Sequence, residues 1–196
     1  MGSPASLLLV HGAGSGPWVF RGWEKSFPGL SVFAVDLQAG LDVARASMQD
    51  YADSIIDAAR GLPVPVALCG WSMGGLVALQ AAGRFQPHSV VLLEASPPAE
   101  VQGFRDDVDP VVGTFDPEAV YGRFPPCMSS RPESLWARLE RKRGISVPSL
   151  PCPSLVICGE DFPDERGTAL AALYGSEVLH YPGLRHWDLV LDPRGS

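Results

Sequence analysis

Short apolar segments alternate with helical segments along most of this 196-residue chain, and this alternation limits its fold more than any other feature. Strands are predicted at 6–10, 32–35, 64–69, 90–93, 154–158 and 177–181, and helices at 47–60, 74–85 and about 165–174. Strands that are apolar on both faces and are separated by helices form parallel sheets covered by helices. The sequence therefore predicts an α/β fold with a mainly parallel, doubly wound sheet of about six strands.

One long segment, 97–153, breaks this alternation. It contains ten of the 19 prolines, which prevent regular sheet or long helices over most of its length. A helix is predicted inside it at 132–143, ending before Gly144. The chain has a length suited to one domain. We therefore expect a single domain over 1–196 in which 97–153 is an inserted cap or lid.

A serine motif follows the third predicted strand. Residues 70–74 read Gly-Trp-Ser-Met-Gly, a G-x-S-x-G pattern that comes directly after an apolar strand and opens a helix. In that context, a tight strand-to-helix turn exposes the serine hydroxyl above the sheet, where ligands of parallel sheets bind. The motif predicts Ser72 as a nucleophile.

A serine hydroxyl needs a general base, and the chain has four histidines. His11 lies in the glycine-rich loop after the first strand, where a structural role is expected, and His88 precedes a strand at the far end of the sheet. His180 lies within the last strand. His186 alone follows the carboxyl end of a strand, after 182–184, and comes late in the chain as triad order requires. His186 is the predicted base.

A tetrahedral intermediate also needs amide donors for its oxyanion. One donor is expected from the residue after the nucleophile, Met73, and one from the loop after the first strand, where Ala13 is best placed. Neither residue is a proline, so both carry the N–H group that this role needs.

These motifs and their order resemble the α/β-hydrolase superfamily over almost the whole chain outside 97–153. The resemblance rests on His11 and Gly12 after the first strand, the serine motif at 70–74, an acid loop after Gly159 and the late His186. In that family, the chain would begin at the third strand and stop ten residues after the histidine. The resemblance therefore implies a minimal version that lacks the first two strands.

A shorter stretch resembles one branch of the superfamily, the methylesterases and hydroxynitrile lyases. It consists of Val10, His11, Gly12 and Ala13, followed by Gly16, Trp18 and Phe20. This resemblance keeps open a lyase as well as a hydrolase.

The acid of the triad is where the sequence departs from the family. The family's acid commonly stands three residues after the glycine that ends the penultimate strand, but that position after Gly159 is Phe162. Asp161 is the first choice, because a loop shifted by one residue presents its carboxylate at the same place. Asp164 is one alternative, and Glu94 is another, since relatives such as haloalkane dehalogenases keep their acid at the end of the fourth strand.

Aromatic residues near the motifs and within 97–153 are expected to line an acyl pocket, although such residues also cover a sheet. The candidates are Trp18, Trp71, Phe104, Phe115, Tyr121, Phe124 and Trp187.

Charge and composition exclude several partners. A net charge of −7 and a pI near 5.0 argue against nucleic acid and anionic membrane surfaces. The four cysteines have no C-x-x-C spacing and no secretory signal is recognisable, so a cytoplasmic protein with free thiols is expected. The sequence suggests no cofactor and no metal ion, and a monomer or homodimer is expected.

The sequence thus predicts a serine hydrolase that cleaves a carboxylic ester or thioester of a small to medium apolar acyl group through an acyl-enzyme on Ser72. A lyase or cyclising acyl transferase on the same triad, and a non-catalytic ligand-binding protein of this fold, are the alternatives. A small-molecule substrate is expected. The cations at the end of the helix in 97–153 leave open an acidic acyl carrier domain as partner, and these cations are Arg138, Arg141, Lys142 and Arg143.

Overall fold

The sheet has six parallel strands. The computed structural model describes residues 5–161 and 164–191, without the side chain of Asp164. Six strands form the sheet in the order β2-β1-β3-β4-β7-β8, and a separate antiparallel pair consists of β5 and β6. The strands are β1 (Ser6–Val10), β2 (Ser31–Val35), β3 (Val66–Trp71), β4 (Ser89–Leu93), β5 (Thr114–Phe115), β6 (Glu133–Ser134), β7 (Ser154–Cys158) and β8 (Glu177–His180).

Three long helices pack on the sheet or on each other, and three shorter ones lie between β4 and β7. The helices are α1 (Met48–Arg60), α2 (Met73–Phe85), α3 (Ala99–Gln102), α4 (Pro117–Tyr121), α5 (Leu135–Arg143) and α6 (Asp164–Tyr174). A capping box starts α1, because the Ser47 side chain accepts a hydrogen bond from the Asp50 amide and the Asp50 carboxylate accepts one from the Ser47 amide. Within the described ranges, no helix has both the length and the apolar character needed to span a membrane.

The apolar side chains of β1 divide between two core clusters, one on each face of the sheet. Leu8 and Val10 pack in the cluster that contains α1 and α2, whereas Leu7 and Leu9 pack with Val19. All four of these β1 side chains are buried, and full burial of a leucine or valine side chain contributes about 1.5–3 kcal/mol. A continuously apolar strand is therefore what this position in the sheet requires.

The architecture confirms the predicted fold class, a mainly parallel six-stranded sheet flanked by helices. The strand β3 differs from its predicted range of 64–69. It starts at Val66 and ends at Trp71, immediately before Ser72. The strand therefore carries the serine motif to the carboxyl edge of the sheet.

The segment between β4 and β7 contains α3, β5, α4, β6 and α5. The helix predicted at 132–143 begins only at Leu135, because Glu133 and Ser134 pair with β5. The Ser134 hydroxyl then accepts a hydrogen bond from the Ala137 amide and caps α5. The short pair of strands thus sets where α5 starts.

Candidate active site

Ser72 occupies the turn between β3 and α2 in a backbone conformation that residues other than glycine rarely adopt. Its φ is 56° and its ψ is −124°. Its amide donates to the Leu93 carbonyl at 3.0 Å, and its carbonyl accepts from the amides of Gly75 and Ser96 at 3.1 and 2.8 Å. A residue held in such a region costs about 1–3 kcal/mol, so the surrounding hydrogen bonds must maintain it.

The two glycines of the motif are required by close backbone contacts. A Cβ at Gly70 would lie 2.5 Å from the Gly74 carbonyl oxygen, and a Cβ at Gly74 would lie 2.4 Å from the carbonyl oxygens of both Val10 and His11. These atoms belong to backbone that cannot move aside easily. The spacing of the motif therefore reflects the packing of the turn against β1 and the loop that follows it.

Gly74→Ala is expected to abolish activity and to lower the free energy of unfolding by several kcal/mol, because overpacking against fixed backbone alone costs about 1–3 kcal/mol and here two carbonyls are involved. Gly83→Ala is the matched control in the same helix, since nothing lies within 4 Å of a Cβ there. That control is expected to gain about 0.5–1 kcal/mol. Urea denaturation of both variants tests this pair. Equal stability of the two variants would show that the turn does not require Gly74.

His186 lies beside the serine turn and contacts a buried carboxylate. Its ring stacks on Trp71, the residue before Ser72, with the ring centroids 4.7 Å apart, and Trp71 Nε1 donates to the His186 carbonyl at 3.0 Å. His186 Nδ1 lies 2.5 Å from Glu94 Oε2. Because a carboxylate only accepts, Nδ1 carries the proton and Nε2 is left as the basic nitrogen.

Glu94 follows β4 directly and is 1% exposed. Its amide donates to the Ile157 carbonyl at 2.8 Å, and its second carboxylate oxygen, Oε1, accepts from the Gly159 amide at 2.8 Å. A Cβ at Gly159 would lie 2.2 Å from the Leu184 carbonyl oxygen, so only glycine fits there. Both carboxylate oxygens of Glu94 therefore have donors, as a buried carboxylate requires.

The expectation that the Asp161 carboxylate contacts the imidazole is wrong in this structure. Asp161 Oδ2 accepts from the His186 backbone amide at 2.8 Å, and Oδ1 lies 3.5 Å from Arg185 Nε. The hydrogen bond from the His186 amide, followed by the charge of Arg185, holds the pKa of the exposed Asp161 carboxyl below its usual value. Asp161 thus binds the main chain of His186, whereas Glu94 binds the imidazole ring of His186. The side chain of Asp164 lies outside the described residues.

Of the two predicted oxyanion donors, Met73 directly follows Ser72, and Ala13 follows Gly12 in the loop after β1. Within the described part of the chain, the amides of Ala13 and Met73 donate no hydrogen bond. A Cβ at Gly12 would lie 2.9 Å from the Cβ of Ser72, so the loop before Ala13 touches the serine directly. Met73 is the first residue of α2, where the helix dipole adds positive partial charge. Both amides are thus available to a ligand atom near Ser72.

His11 has the structural surroundings expected from sequence. It is 0% exposed, Nε2 accepts from the Leu37 amide at 3.1 Å, and Nδ1 lies 2.9 Å from the Gly12 carbonyl oxygen. These contacts use both ring nitrogens to join the chain after β2 to the loop after β1.

The predicted pocket aromatics separate into groups. Trp71, Phe124 and Trp187 come together beside His186, with centroid distances of 4.8 Å for Trp71–Trp187 and 4.7 Å for Phe124–Trp187. Trp18 lies under the Arg131 guanidinium, 5.1 Å from its ring centroid.

The other three aromatics are not placed at Ser72 by any described contact. Phe115 and Tyr121 pack edge to face on each other, 5.9 Å apart, and Tyr121 is 49% exposed. Phe104 is 65% exposed and lines a separate cavity of about 460 Å³ beside Met48 and Trp136. The described contacts place Phe104 near α5 and the start of α1, and its role in an acyl pocket stays a prediction.

Comparison with known proteins finds relatives and solved structures that this chain resembles. A pimeloyl-[acyl-carrier protein] methyl ester esterase of Aromatoleum aromaticum is 37% identical over 97 residues, a match that covers 46% of this chain and only 37% of that protein. Polyneuridine aldehyde esterase has a similar structure, with a TM-score of 0.70 at 19% identity over 98% of this chain and 96% of that chain. Tomato methylketone synthase I gives a TM-score of 0.70 at 19% identity over 99% of this chain and 94% of that chain.

A family model also matches residues 7–195, which is nearly the full sequence, and it describes the alpha/beta hydrolase family. The match includes the serine turn, Glu94 and His186. The chain belongs to the alpha/beta hydrolase family.

Proposed function

We propose that this protein hydrolyses carboxylic esters or thioesters through an acyl-enzyme on Ser72, with His186 as general base and Glu94 as the acid that orients it. One observation carries the proposal: a histidine that stacks beside the serine turn has its Nδ1 held 2.5 Å from a buried carboxylate. In a neutral imidazole whose Nδ1 proton is bound by a carboxylate, Nε2 is the nitrogen that can accept the serine proton.

The chemistry then follows from the positions of these groups. Ser72 Oγ attacks the acyl carbon while His186 Nε2 takes the hydroxyl proton, and the carbonyl π pair moves onto oxygen. The amides of Ala13 and Met73 stabilise the resulting oxyanion. Collapse expels the alcohol or thiol, which receives the proton from His186, and a water molecule repeats the sequence to release the acid and regenerate Ser72.

The aromatic wall beside His186 supports an apolar acyl group. Trp71 and Phe124 are buried, and Trp187 packs against both. Apolar pockets with a few polar groups are the usual environment of such substrates. A small to medium acyl ester or thioester is therefore the proposed substrate class.

An acyl group on a carrier domain is a second candidate, because the Aromatoleum relative carries that substrate in its name. The carrier would use the cations at the end of α5. Arg138 however lies over the Phe115 ring at 5.3 Å, and Arg141 Nη2 donates to the Tyr121 hydroxyl at 3.1 Å. Two of the four cations thus have partners within the same segment, which favours a free ester or thioester.

A panel of acyl esters and acyl thioesters with short and medium chains tests the proposal. We expect release of the free acid and of one equivalent of alcohol or thiol, with the highest kcat/KM for an apolar acyl chain. A cyclised or eliminated product without free acid would favour the lyase or acyl transferase alternative. Binding of these compounds without any turnover would favour the non-catalytic alternative.

A further inference from the structure

The loop that carries Ala13 is held by the segment between β4 and β7. Glu133 Oε2 accepts from the Gly14 amide at 2.9 Å, and the Arg131 amide donates to the Gly14 carbonyl at 2.9 Å. Arg131 Nε donates to the Ser15 carbonyl at 2.7 Å. Both polar groups of the Gly14 main chain are therefore bound by residues more than 100 positions away in sequence.

Glu133 is held in one orientation by donors from three directions. It is 0% exposed, and its Oε1 accepts from the Ser134 amide at 2.8 Å and from the hydroxyl of Tyr51 in α1. Burial, followed by the charge of Glu133, raises the pKa of Tyr51, so this hydroxyl stays a donor. A buried carboxylate is stable only with such partners, so its contact with Gly14 is rigid.

Arg131 is anchored in turn on the edge of the sheet. Its Nη1 and Nη2 donate to Asp36 Oδ2 and Oδ1 at 3.1 and 2.5 Å, and Nη2 lies 3.2 Å from His11 Nε2. Contacts with His11 and with Arg131 hold the pKa of the Asp36 carboxyl far below its usual range. A planar, two-point contact of this kind fixes orientation as well as position.

We propose that Arg131 and Glu133 are positioning residues for the oxyanion donor at Ala13, so that the segment between β4 and β7 completes the active site. Ala13 lies between Gly12, which touches Ser72, and Gly14, which these two residues hold. The inference rests on the proposed function. It gives a role in catalysis to the segment between β4 and β7, which the sequence predicts only as a cap or lid.

The effect should fall on the transition state, because the amide of Ala13 binds the oxyanion more strongly than the carbonyl of the bound ester. Loss of one such donor lowers kcat by about 10²–10³-fold. A donor that is displaced and not removed should lower kcat by a smaller factor. In Glu133→Gln, the amide group keeps an acceptor for Gly14 but turns an NH₂ group toward the Ser134 N–H, which forces the side chain to move.

The test compares two inhibitors on the parent, Glu133→Gln, Arg131→Lys and Glu118→Gln. A nucleophilic serine adds to the carbonyl carbon of a trifluoromethyl ketone, which gives a tetrahedral oxyanion while the base takes the hydroxyl proton. The matching methyl ketone binds without that addition. We expect kcat and trifluoromethyl ketone affinity to fall together by about 10–100-fold in Glu133→Gln, with KM and methyl ketone affinity within about 3-fold. Glu118 is an exposed glutamate of α4, and its variant is the matched control, expected to resemble the parent.

Arg131→Lys keeps the charge but loses the bidentate contact with Asp36 and the hydrogen bond to the Ser15 carbonyl. This variant provides the test if Glu133→Gln does not fold. A parent that turns over esters while both variants retain its kcat would overturn this inference and leave the proposed function standing. Equal loss of affinity for both ketones would also overturn it, because that pattern indicates a general structural role. A parent that turns over no ester would overturn both proposals.

Discussion

Ser72→Ala is expected to lower kcat for a good ester substrate by about 10⁴–10⁶-fold, which leaves only the rate that binding and the oxyanion donors supply. The turn places Ser72 at the start of α2, directly after Trp71, whose ring packs on His186, and alanine fits the same backbone without adding atoms. Steady-state kinetics measure the loss, and thermal unfolding checks that the variant folds.

Two histidine variants test whether Ser72 acts together with His186. His186→Ala is expected to lose about as much as Ser72→Ala, and the double variant to lose no more than either, because the two groups act as a unit. His180→Ala is the matched control, since His180 is exposed at the end of β8. Additive losses in the double variant, or a comparable loss in His180→Ala, would contradict the pairing of Ser72 with His186.

The second large effect is expected for Glu94→Gln, a fall in kcat of about 10⁴-fold. The carbonyl oxygen of the substituted side chain can keep the bond from the Gly159 amide, but the new NH₂ group then faces His186 Nδ1. Nδ1 must become the acceptor, and the ring proton moves to Nε2, the nitrogen that needs to accept the proton of Ser72. The variant therefore traps the wrong tautomer of the imidazole.

Asp161→Asn is the matched control for this acid. Asparagine retains an oxygen for the His186 amide, so its kcat is expected to stay within about tenfold of the parent. Kinetics of both variants at one pH, with circular dichroism as a check on folding, decide between the two carboxylates. A loss of several powers of ten in Asp161→Asn, with Glu94→Gln close to the parent, would return the acid to the loop after β7.

Local sequence signals are sufficient for the sheet and for the serine turn. The strands 6–10 and 154–158 are continuous apolar runs bounded by polar or turn residues, and burial on both faces of a parallel sheet requires that pattern. The turn at Ser72 is readable because its glycines are fixed by contacts with β1 and with the turn itself, which leave no room for side chains.

The acid is harder to predict because the choice depends on which carboxylate the fold turns toward His186. Asp161 lies one residue from the position that the family's spacing indicates, whereas Glu94 satisfies a different signal, a charged residue directly after the apolar strand β4. A carboxylate in that place is buried at the carboxyl edge of the sheet and needs partners. That requirement favours Glu94, but it becomes evident only from the burial of this position in the fold.

The contacts of Arg131 and Glu133 with the loop after β1 could not be predicted from sequence. They join residues more than 100 positions apart through backbone atoms, and neither residue belongs to a periodic pattern. The predicted start of α5 is wrong for the same reason, since the pairing of β5 with β6 depends on the position of the whole segment.

The proposed mechanism depends most directly on one reactive serine, and labelling with a fluorophosphonate, mapped by mass spectrometry, tests it in a single measurement. A fluorophosphonate phosphonylates an activated serine: the serine oxygen bonds to phosphorus, fluoride leaves, and the base takes the hydroxyl proton. We expect one adduct, on the peptide that contains Ser72, with no adduct in Ser72→Ala and slow labelling in Glu94→Gln. An adduct on another serine, or a Ser72→Ala variant that labels as well as the parent, would contradict it.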